Sequence, residues 1–309
     1  MHIVSVINYK GGVGKTTMTA NLAAELAQRG RSILLIDLDP QASLTFSFIQ
    51  PEQWKEEFAE ARTIKRWFEA TAESANFDLA SLIFQPPAVN SEVSSNGGCI
   101  DLIPSHLGLI NVDLELATEL GGANMTQTKK KYIRVHRRLA NGLDAIDPQR
   151  YELVLIDCPP NFNVVTKTAI VASSHILIPA KPDYLSTLGI DYLIRAQEEL
   201  VRDFNEYVEL DSGRVEKRIS PEQLGVVFTM VQEYSGGPIS AIRPFIARTK
   251  ELDVPVFEAY IKENKTMFAD APQYGVPVVL SPRQGATYEG VIQGIEEFVT
   301  EFEERLGLE

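Results

Sequence analysis

Residues 10–17 read Lys-Gly-Gly-Val-Gly-Lys-Thr-Thr, and they join an apolar run at residues 3–7 to a helical pattern that begins near Thr16. Glycines let the backbone curl so that several N–H groups face one anion, and the start of the following helix adds partial positive charge. This order of strand, glycine loop and helix is the context that a phosphate-binding loop requires. In such a loop Lys15 reaches the outer phosphates, and the Thr16 hydroxyl ligates Mg²⁺. The segment therefore predicts a phosphate site.

Two other apolar runs end in carboxylates. Residues 32–36 are followed by Asp37 and Asp39, and residues 153–156 are followed by Asp157. Continuous apolar runs of this length are typical of strands buried on both faces of a parallel sheet. Because ligands bind at the carboxyl edge of such sheets, these carboxylates are expected beside the phosphate site. There Asp157 can hold a water of the Mg²⁺ shell.

The spacing of these runs predicts the fold class. The first strand, the helix and the second strand lie within about 35 residues, which is a βαβ unit with a right-handed crossover. Helical patterns separate further strands, which are expected at residues 176–179, 224–230, 254–260 and 276–280. We therefore expect an α/β fold: a doubly wound, mostly parallel sheet with helices on both faces.

We expect residues 1–309 to form a single P-loop domain with two additions. Residues 46–98, which contain Trp54 and Trp67, read as a helical and loop insertion, and the charged residues 203–223 read as a surface excursion. The last helix has an apolar stripe formed by Val291, Ile295, Phe298, Phe302 and Leu306. Its other face is acidic, whereas a membrane-surface helix is rich in Lys and Arg, so membrane targeting is not expected.

Composition narrows the setting. The formal net charge is −13 and the sequence pI is about 4.9, which argues against constitutive tight binding to nucleic acid, although a local basic patch suffices. Residues 129–138 contain six Lys and Arg; they form either a solvated helix face or a contact to a phosphate backbone. Only two cysteines are present, without a Cys-x-x-Cys pair, and no apolar run is long enough to span a membrane. We therefore expect a cytoplasmic protein.

The string KGGVGKTT departs from the generic P-loop pattern, because Tyr9 stands where that pattern has glycine and Lys10 directly precedes the glycine pair. It resembles the deviant Walker A motif of the ParA/MinD family of P-loop ATPases, in particular the ParA/Soj type. The segment Asp-Leu-Asp-Pro-Gln at residues 37–41 resembles the family's DxDPQ motif, and Asp-Cys-Pro-Pro at residues 157–160 is typical of its Walker B segment. Two departures follow: Ala42-Ser43 replaces a common Gly-Asn, and residues 161–163 differ from the usual small residues.

The resemblance implies ATP and Mg²⁺ as cofactors and assigns roles by position. The catalytic residues are then Lys10, Lys15 and Asp39, where Asp39 orients the attacking water. The metal ligands are Thr16, Asp37 and Asp157. The residues implied to bind the cofactor are Lys10, Gly11, Gly12, Val13, Gly14, Lys15, Thr16, Thr17, Met230 and Pro272. The last two are expected near the adenine, because residues 270–278 resemble a family segment that lies there together with the loop after residues 229–230.

The resemblance also implies a function. In the family, Lys10 reaches across an ATP-bound homodimer to the partner's phosphates, so we expect an ATP-dependent dimerising switch in plasmid or chromosome partition. Its ATP dimer is expected to bind DNA without sequence specificity, at the nucleoid, and a ParB-like or other adaptor protein is expected to stimulate slow hydrolysis. The alternative is an ATP-switched module that positions a cytoplasmic protein complex without binding DNA. A metabolic kinase or ligase-like enzyme would need an acceptor pocket that the sequence does not reveal.

Overall fold

Seven strands form one parallel sheet within the residues that the computed structural model describes, which are 1–72, 77–122, 124–210, 217–281 and 285–308. The strand order across the sheet is β3-β2-β4-β1-β5-β6-β9. The strands are β1 His2–Val6, β2 Ser32–Asp37, β3 Cys99–Ile103, β4 Leu153–Asp157, β5 His175–Ala180, β6 Glu222–Val231 and β9 Val256–Lys262; a small hairpin pairs β7 Glu233–Tyr234 with β8 Gly237–Pro238. The order reverses at β1, so the loop after β1 lies at the position where open α/β sheets bind ligands.

Helices cover both faces of this sheet, which confirms the predicted doubly wound α/β architecture. They are α1 Lys15–Gln28, α2 Ser43–Phe46, α3 Pro51–Glu57, α4 Ile64–Ala72, α5 Pro87–Val93, α6 Leu109–Glu119, α7 Met125–His136, α8 Arg138–Asp144, α9 Val164–Ala172, α10 Tyr184–Leu210, α11 Arg243–Lys250, α12 Lys265–Tyr274 and α13 Ala286–Leu306. Short 3₁₀ turns lie at Leu79–Leu82, Ser94–Asn96 and Val278–Leu280.

Alternation along β2 explains how two cores arise from one apolar run. Ile33 and Leu35 belong to the core that contains α1 and α13, whereas Leu34 and Ile36 belong to the core on the opposite face. Successive strand side chains point to opposite faces, so a strand buried on both sides must be apolar throughout. The predicted stripe on α13 is confirmed, because all five of its apolar residues are buried against the first core.

The strand predicted at residues 276–280 is wrong. Pro277 has no N–H to donate to a ladder, and the chain turns at Val278–Leu280 instead. The apolar residues that suggested a strand are still buried: the Val279 N–H donates to Asn21 Oδ1 on α1 over 3.0 Å. The apolar pattern therefore correctly indicated burial, whereas Pro277 prevented the backbone from forming a strand.

The two predicted additions are only partly described. Residues 46–98 contain α3, α4 and α5 with short 3₁₀ turns, and Phe84 forms an isolated bridge with Leu102 of β3. The surface excursion predicted at residues 203–223 begins within α10, and its residues 211–216 lie outside the described part of the chain. That the whole chain is one domain stays a prediction.

Candidate functional site

The glycine loop connects β1 to α1 at the carboxyl edge of the sheet. Gly12 and Gly14 have φ values of 69° and 77°, in the left-handed region that glycine occupies without strain. No described side chain caps the start of α1, so its first N–H groups are available to an anion. Gly11 faces Pro160 of the β4 loop, and the buried Val13 carbonyl accepts a 2.6 Å hydrogen bond from Thr229 Oγ1. The loop therefore has the backbone shape that the sequence predicts for a phosphate cradle.

Lys15 lies buried behind the loop, with 6% of its surface exposed. Its Nζ lies 3.5 Å from the backbone oxygens of Asn8 and Lys10, and no carboxylate of the described residues pairs with it. Burial lowers the pKa of this ammonium, although the charges of Asp157 and Asp39 oppose the shift. A buried ammonium with only long contacts to carbonyl oxygens is suited to bind an incoming anion.

Thr16 and Asp157 meet at the end of β4. The Thr16 hydroxyl donates to Asp157 Oδ2 over 2.7 Å, while the buried Asp157 Oδ1 has no hydrogen-bond partner in the described part of the chain. Burial raises the pKa of Asp157 to about 7. A buried carboxylate oxygen without a donor fits a site for Mg²⁺ or for a water in its shell, because hard cations take oxygen ligands.

Asp37 has contacts that the sequence did not anticipate. This fully buried carboxylate accepts from the Asp39 N–H through Oδ1, and from both the N–H and the hydroxyl of Thr45 through Oδ2. Burial and the neighbouring charge of Asp157 raise its pKa well above the usual range. In this arrangement Asp37 holds the loop that carries Asp39; its assignment as a metal ligand stays a prediction.

Sequence reasoning missed the role of Ser105 at the end of β3. Its hydroxyl donates to the Asp39 carbonyl over 2.7 Å, and its N–H donates to Thr45 Oγ1 over 2.8 Å. The Ser105 carbonyl in turn accepts from the indole N–H of Trp54 over 3.1 Å. A polar residue two positions after a buried strand was the available signal, since strand ends meet at the ligand edge.

The loop after Asp39 turns at Ala42, whose φ of 54° and ψ of 29° lie in the left-handed region. A residue with a Cβ is strained there, whereas glycine is not. The backbone at this position therefore favours glycine, and this chain accepts the strain of an alanine there.

Lys10 does not face empty solvent. Its Nζ lies 2.6 Å from Asp183 Oδ2 and 3.3 Å from Ser186 Oγ, at the start of α10. The backbone N–H of Lys10 donates to Asn8 Oδ1, and the Asn8 amide donates to the Pro179 carbonyl at the end of β5. Sequence reasoning missed Asp183; the only signal was an acidic residue at a helix start after a strand.

A cavity of about 320 Å³ lies on the α1 side of the loop. Gly12, Gly14, Thr17 and Met230 are among its lining residues. Met230 has a φ of 53°, a strained conformation of the kind that concentrates at functional sites. The cavity is large enough for a nucleoside next to the phosphate cradle. Pro272 falls in α12, and its side chain lies outside the described residues.

The basic segment at residues 129–138 is one helix and the start of another. Val135 and Leu139 are buried and Tyr132 is half-buried, as the helical pattern predicts. Several cations are paired within the chain: Arg134 and Arg138 contact Glu119 at 3.4 and 2.9 Å, and Arg138 is itself buried. Within the described ranges, no helix is long and apolar enough to cross a membrane.

Comparisons with known proteins agree with this geometry. The family model described as "AAA domain" matches residues 1–210. The chromosome partitioning protein ParA of Caulobacter vibrioides is 28% identical over 281 residues, covering 91% of this chain and 87% of that protein. The sporulation initiation inhibitor protein Soj of Bacillus subtilis is 26% identical over 278 residues, covering 90% of each.

A solved ATP complex of a Cyanothece McdA variant shares the fold. It superposes with a TM-score of 0.70 at 21% identity, over 100% of this chain and 97% of that one. The match to the family model spans the glycine loop and all three carboxylates of the site. The chain therefore belongs to the AAA domain family, and within it is a P-loop ATPase of the ParA/MinD type, similar to ParA and Soj.

Proposed function

We propose that the protein is a Mg²⁺-dependent ATPase that acts as an ATP-dependent dimerising switch in DNA partition. The observation that carries the nucleotide part is the junction of Thr16 and Asp157, where one buried carboxylate oxygen has no donor among the described residues, next to the buried ammonium of Lys15. These groups suit a divalent cation and the phosphates it accompanies. The partition role is supported by the similarity to ParA and Soj.

The residues divide the work of phosphoryl transfer to water. The loop N–H groups and Lys15 bind the phosphates and stabilise the charge that develops on them. Thr16 and Asp157 would hold a Mg²⁺ ion, and the ion would supply positive charge that offsets the charge of the phosphates. Asp39 orients the attacking water, and its main chain is fixed by Asp37 and Ser105. Because hydrolysis is proposed to be slow, its rate sets how long the ATP-bound state lasts.

Lys10 is the residue that we propose makes the contact between the two subunits of the dimer. It is half-exposed at the open side of the loop, with 32% of its side chain accessible, and can contact a phosphate held by a second subunit. ATP then bridges two copies of the chain, and hydrolysis releases them. Cofactor contacts at Met230 and Pro272 complete the proposed nucleotide site.

Binding to DNA is proposed to need the dimer. The chain carries a net charge of −13, and many of its basic groups near residues 129–138 are already paired. Two weak patches held together give measurable, salt-sensitive binding that one patch cannot. A ParB-like or other adaptor protein is the proposed stimulator of hydrolysis.

The test measures ATP hydrolysis and retention on DNA with and without Mg·ATP, at low and moderate salt. Retention that requires ATP and falls steeply with salt supports the proposal. Absence of retention by an ATP-loaded dimer at low salt contradicts the DNA part. Stimulation of hydrolysis by the product of a neighbouring gene tests the partner.

A second candidate is an ATP-switched module that positions a protein complex without binding DNA. It is favoured by the pairing of Arg134 and Arg138 with Glu119, which reduces the positive charge that α7 and α8 offer to a phosphate backbone. Partners that bind only with ATP and remain bound after nuclease treatment distinguish this candidate from the first.

A further inference from the structure

The Lys10 ammonium is bound within its own protomer. Asp183 Oδ2 lies 2.6 Å away and Ser186 Oγ lies 3.3 Å away, so a carboxylate and a hydroxyl surround it on one side. The proposed function requires this same ammonium to contact a phosphate of another subunit. The Lys10 ammonium must therefore leave the Asp183 carboxylate before it can contact that phosphate.

Asp183 is held firmly in place for this contact. Its Oδ1 accepts from the Ser186 N–H over 2.9 Å at the start of α10, and its carbonyl accepts from the N–H and hydroxyl of Thr187. The other carboxylate oxygen is directed at Lys10. Although burial opposes it, the hydrogen bonds from Lys10 and Ser186 lower the pKa of Asp183, so the carboxylate is charged at neutral pH.

The contact is also exchangeable. The side chains of Lys10 and Asp183 keep 32% and 39% of their surfaces accessible, and ion pairs that water reaches are weak. The next two residues along the chain, Tyr184 and Leu185, are apolar and exposed at 54% and 65%. Exposed apolar groups beside a replaceable ion pair fit a surface that a second copy of the chain covers.

The same loop borders the nucleotide cavity. Lys181 lines it together with Gly12 and Gly14, and the Lys181 carbonyl accepts from the Asp183 N–H over 2.8 Å. The connection between β5 and α10 thus contacts the cavity at one residue and holds Lys10 two residues later.

We propose that Asp183 is a positioning residue that holds Lys10 in its own protomer, so that dimerisation requires Lys10 to exchange this carboxylate for a phosphate of the partner's ATP. The inference rests on the proposed function, because it needs the contact between Lys10 and the second subunit. Two such exchanges occur in each symmetric dimer.

The first experiment compares dimer dissociation constants at saturating Mg·ATP by analytical ultracentrifugation. Asp183→Asn keeps the hydrogen bond to the Ser186 N–H but removes the charge. We expect the dimer to tighten about 2- to 30-fold, because each exposed ion pair is worth a factor of about 1.4 to 5 and a dimer loses two. Asp183→Glu restores the wild-type constant. Asp191→Asn, which removes an exposed pair with Arg195 on the same helix, leaves it unchanged.

The second experiment does not depend on dimerisation. Nucleotide-free protein is treated with an amine-acetylating reagent, and the rate at Lys10 is measured by mass spectrometry relative to the exposed Lys55. Asp183→Asn should raise the relative rate at Lys10, because the Lys10 side chain is no longer held against a carboxylate oxygen 2.6 Å away. An unchanged rate overturns the proposal.

The two failures are distinguishable. A wild-type protein that stays monomeric at saturating Mg·ATP contradicts the proposed function. If the wild type dimerises and Asp183→Asn leaves the constant unchanged or weakens the dimer, only the role of Asp183 is overturned.

Discussion

Lys10 and Lys15 lie on the same loop in opposite surroundings. Lys15 is buried, and its Nζ lies 3.5 Å from two backbone oxygens. The nearby Asp157 carboxylate has an oxygen without a donor among the described groups. Lys10 is half-exposed and already paired with Asp183 at 2.6 Å. The buried groups thus suit the binding of an anion and a cation, whereas the exposed ammonium has an ion-pair partner that water can reach. The proposed phosphate contact and the proposed contact between subunits therefore belong to different residues of one short segment.

The sharpest way to break this comparison is Lys15→Ala. Removal of the buried ammonium leaves phosphate charge uncompensated in a site that water reaches poorly, so we expect ATP hydrolysis to fall about 100-fold or more. Steady-state phosphate release measures the effect, with Lys55→Ala as an exposed-lysine control. Activity within a few-fold of wild type would show that Lys15 is not the phosphate ligand.

Lys10→Ala should affect dimerisation without affecting nucleotide binding by the monomer. We expect the ATP affinity of the monomer to change by no more than about 2-fold, since an exposed group contributes little, while ATP-dependent dimerisation is lost. Calorimetry at concentrations below dimerisation gives the first quantity, and ultracentrifugation gives the second. A dimer that persists in Lys10→Ala would refute the contact across the subunits.

Asp157→Asn tests whether the buried Asp157 carboxylate destabilises the nucleotide-free protein. A charged carboxylate buried beside Asp37 with an unsatisfied oxygen destabilises the nucleotide-free protein, so we expect the variant to gain about 1–3 kcal/mol in free energy of unfolding at pH 8. It should lose Mg²⁺-dependent hydrolysis at the same time.

The pH dependence of the free energy of unfolding follows from the raised pKa of Asp157. The folded state favours the protonated form, so the cost of this group is present above a pH of about 7 and disappears below about pH 4. The matched control is Asp101→Asn, since the buried Asp101 accepts from Tyr151, Arg150 and Gln85 and should destabilise when changed. Equal destabilisation by both variants would contradict the prediction; urea unfolding measures it.

Ala42→Gly should have the smallest effect. Glycine adopts the left-handed conformation of this residue without strain, so we expect a gain of about 0.5–1 kcal/mol in free energy of unfolding. Ala117→Gly on the exposed face of α6 should instead lose about 1 kcal/mol, because glycine weakens a helix interior. A loss at both positions would show that the turn at Ala42 is not strained.

Much of the fold followed from the sequence because parallel strands and their crossovers leave strong local patterns. Apolar runs separated by helical patterns predicted the parallel sheet and the chain order of its first elements. The glycine loop and the carboxylates at strand ends predicted where a ligand binds. The error at residues 276–280 arose because hydrophobicity reports burial, and Pro277 decided the backbone. The local sequence pattern therefore predicted which residues are buried better than it predicted their backbone conformation.

The site was predictable where one segment carries the chemistry, and not where distant segments meet. Lys15, Thr16 and Asp157 were predicted as site residues from their own motifs, and the structure places them side by side; their roles stay predictions. Asp183 and Ser105 act through residues more than sixty positions away, and nothing near them in sequence reveals the partner. Asp37 shows the same limit, since its hydrogen bonds to Thr45 depend on a turn that the sequence does not specify.

The hydrogen bond from Trp54 to Ser105 gives the chain an intrinsic optical signal. Ser105 holds the Asp39 carbonyl, so a movement of that loop changes the polarity around the indole of Trp54, which also packs against Phe46 and His106. The other tryptophan, Trp67, is buried in the opposite core and supplies a constant background. Fluorescence emission of the unlabelled protein can therefore report in real time whether the loop that carries Asp39 moves when ATP is added.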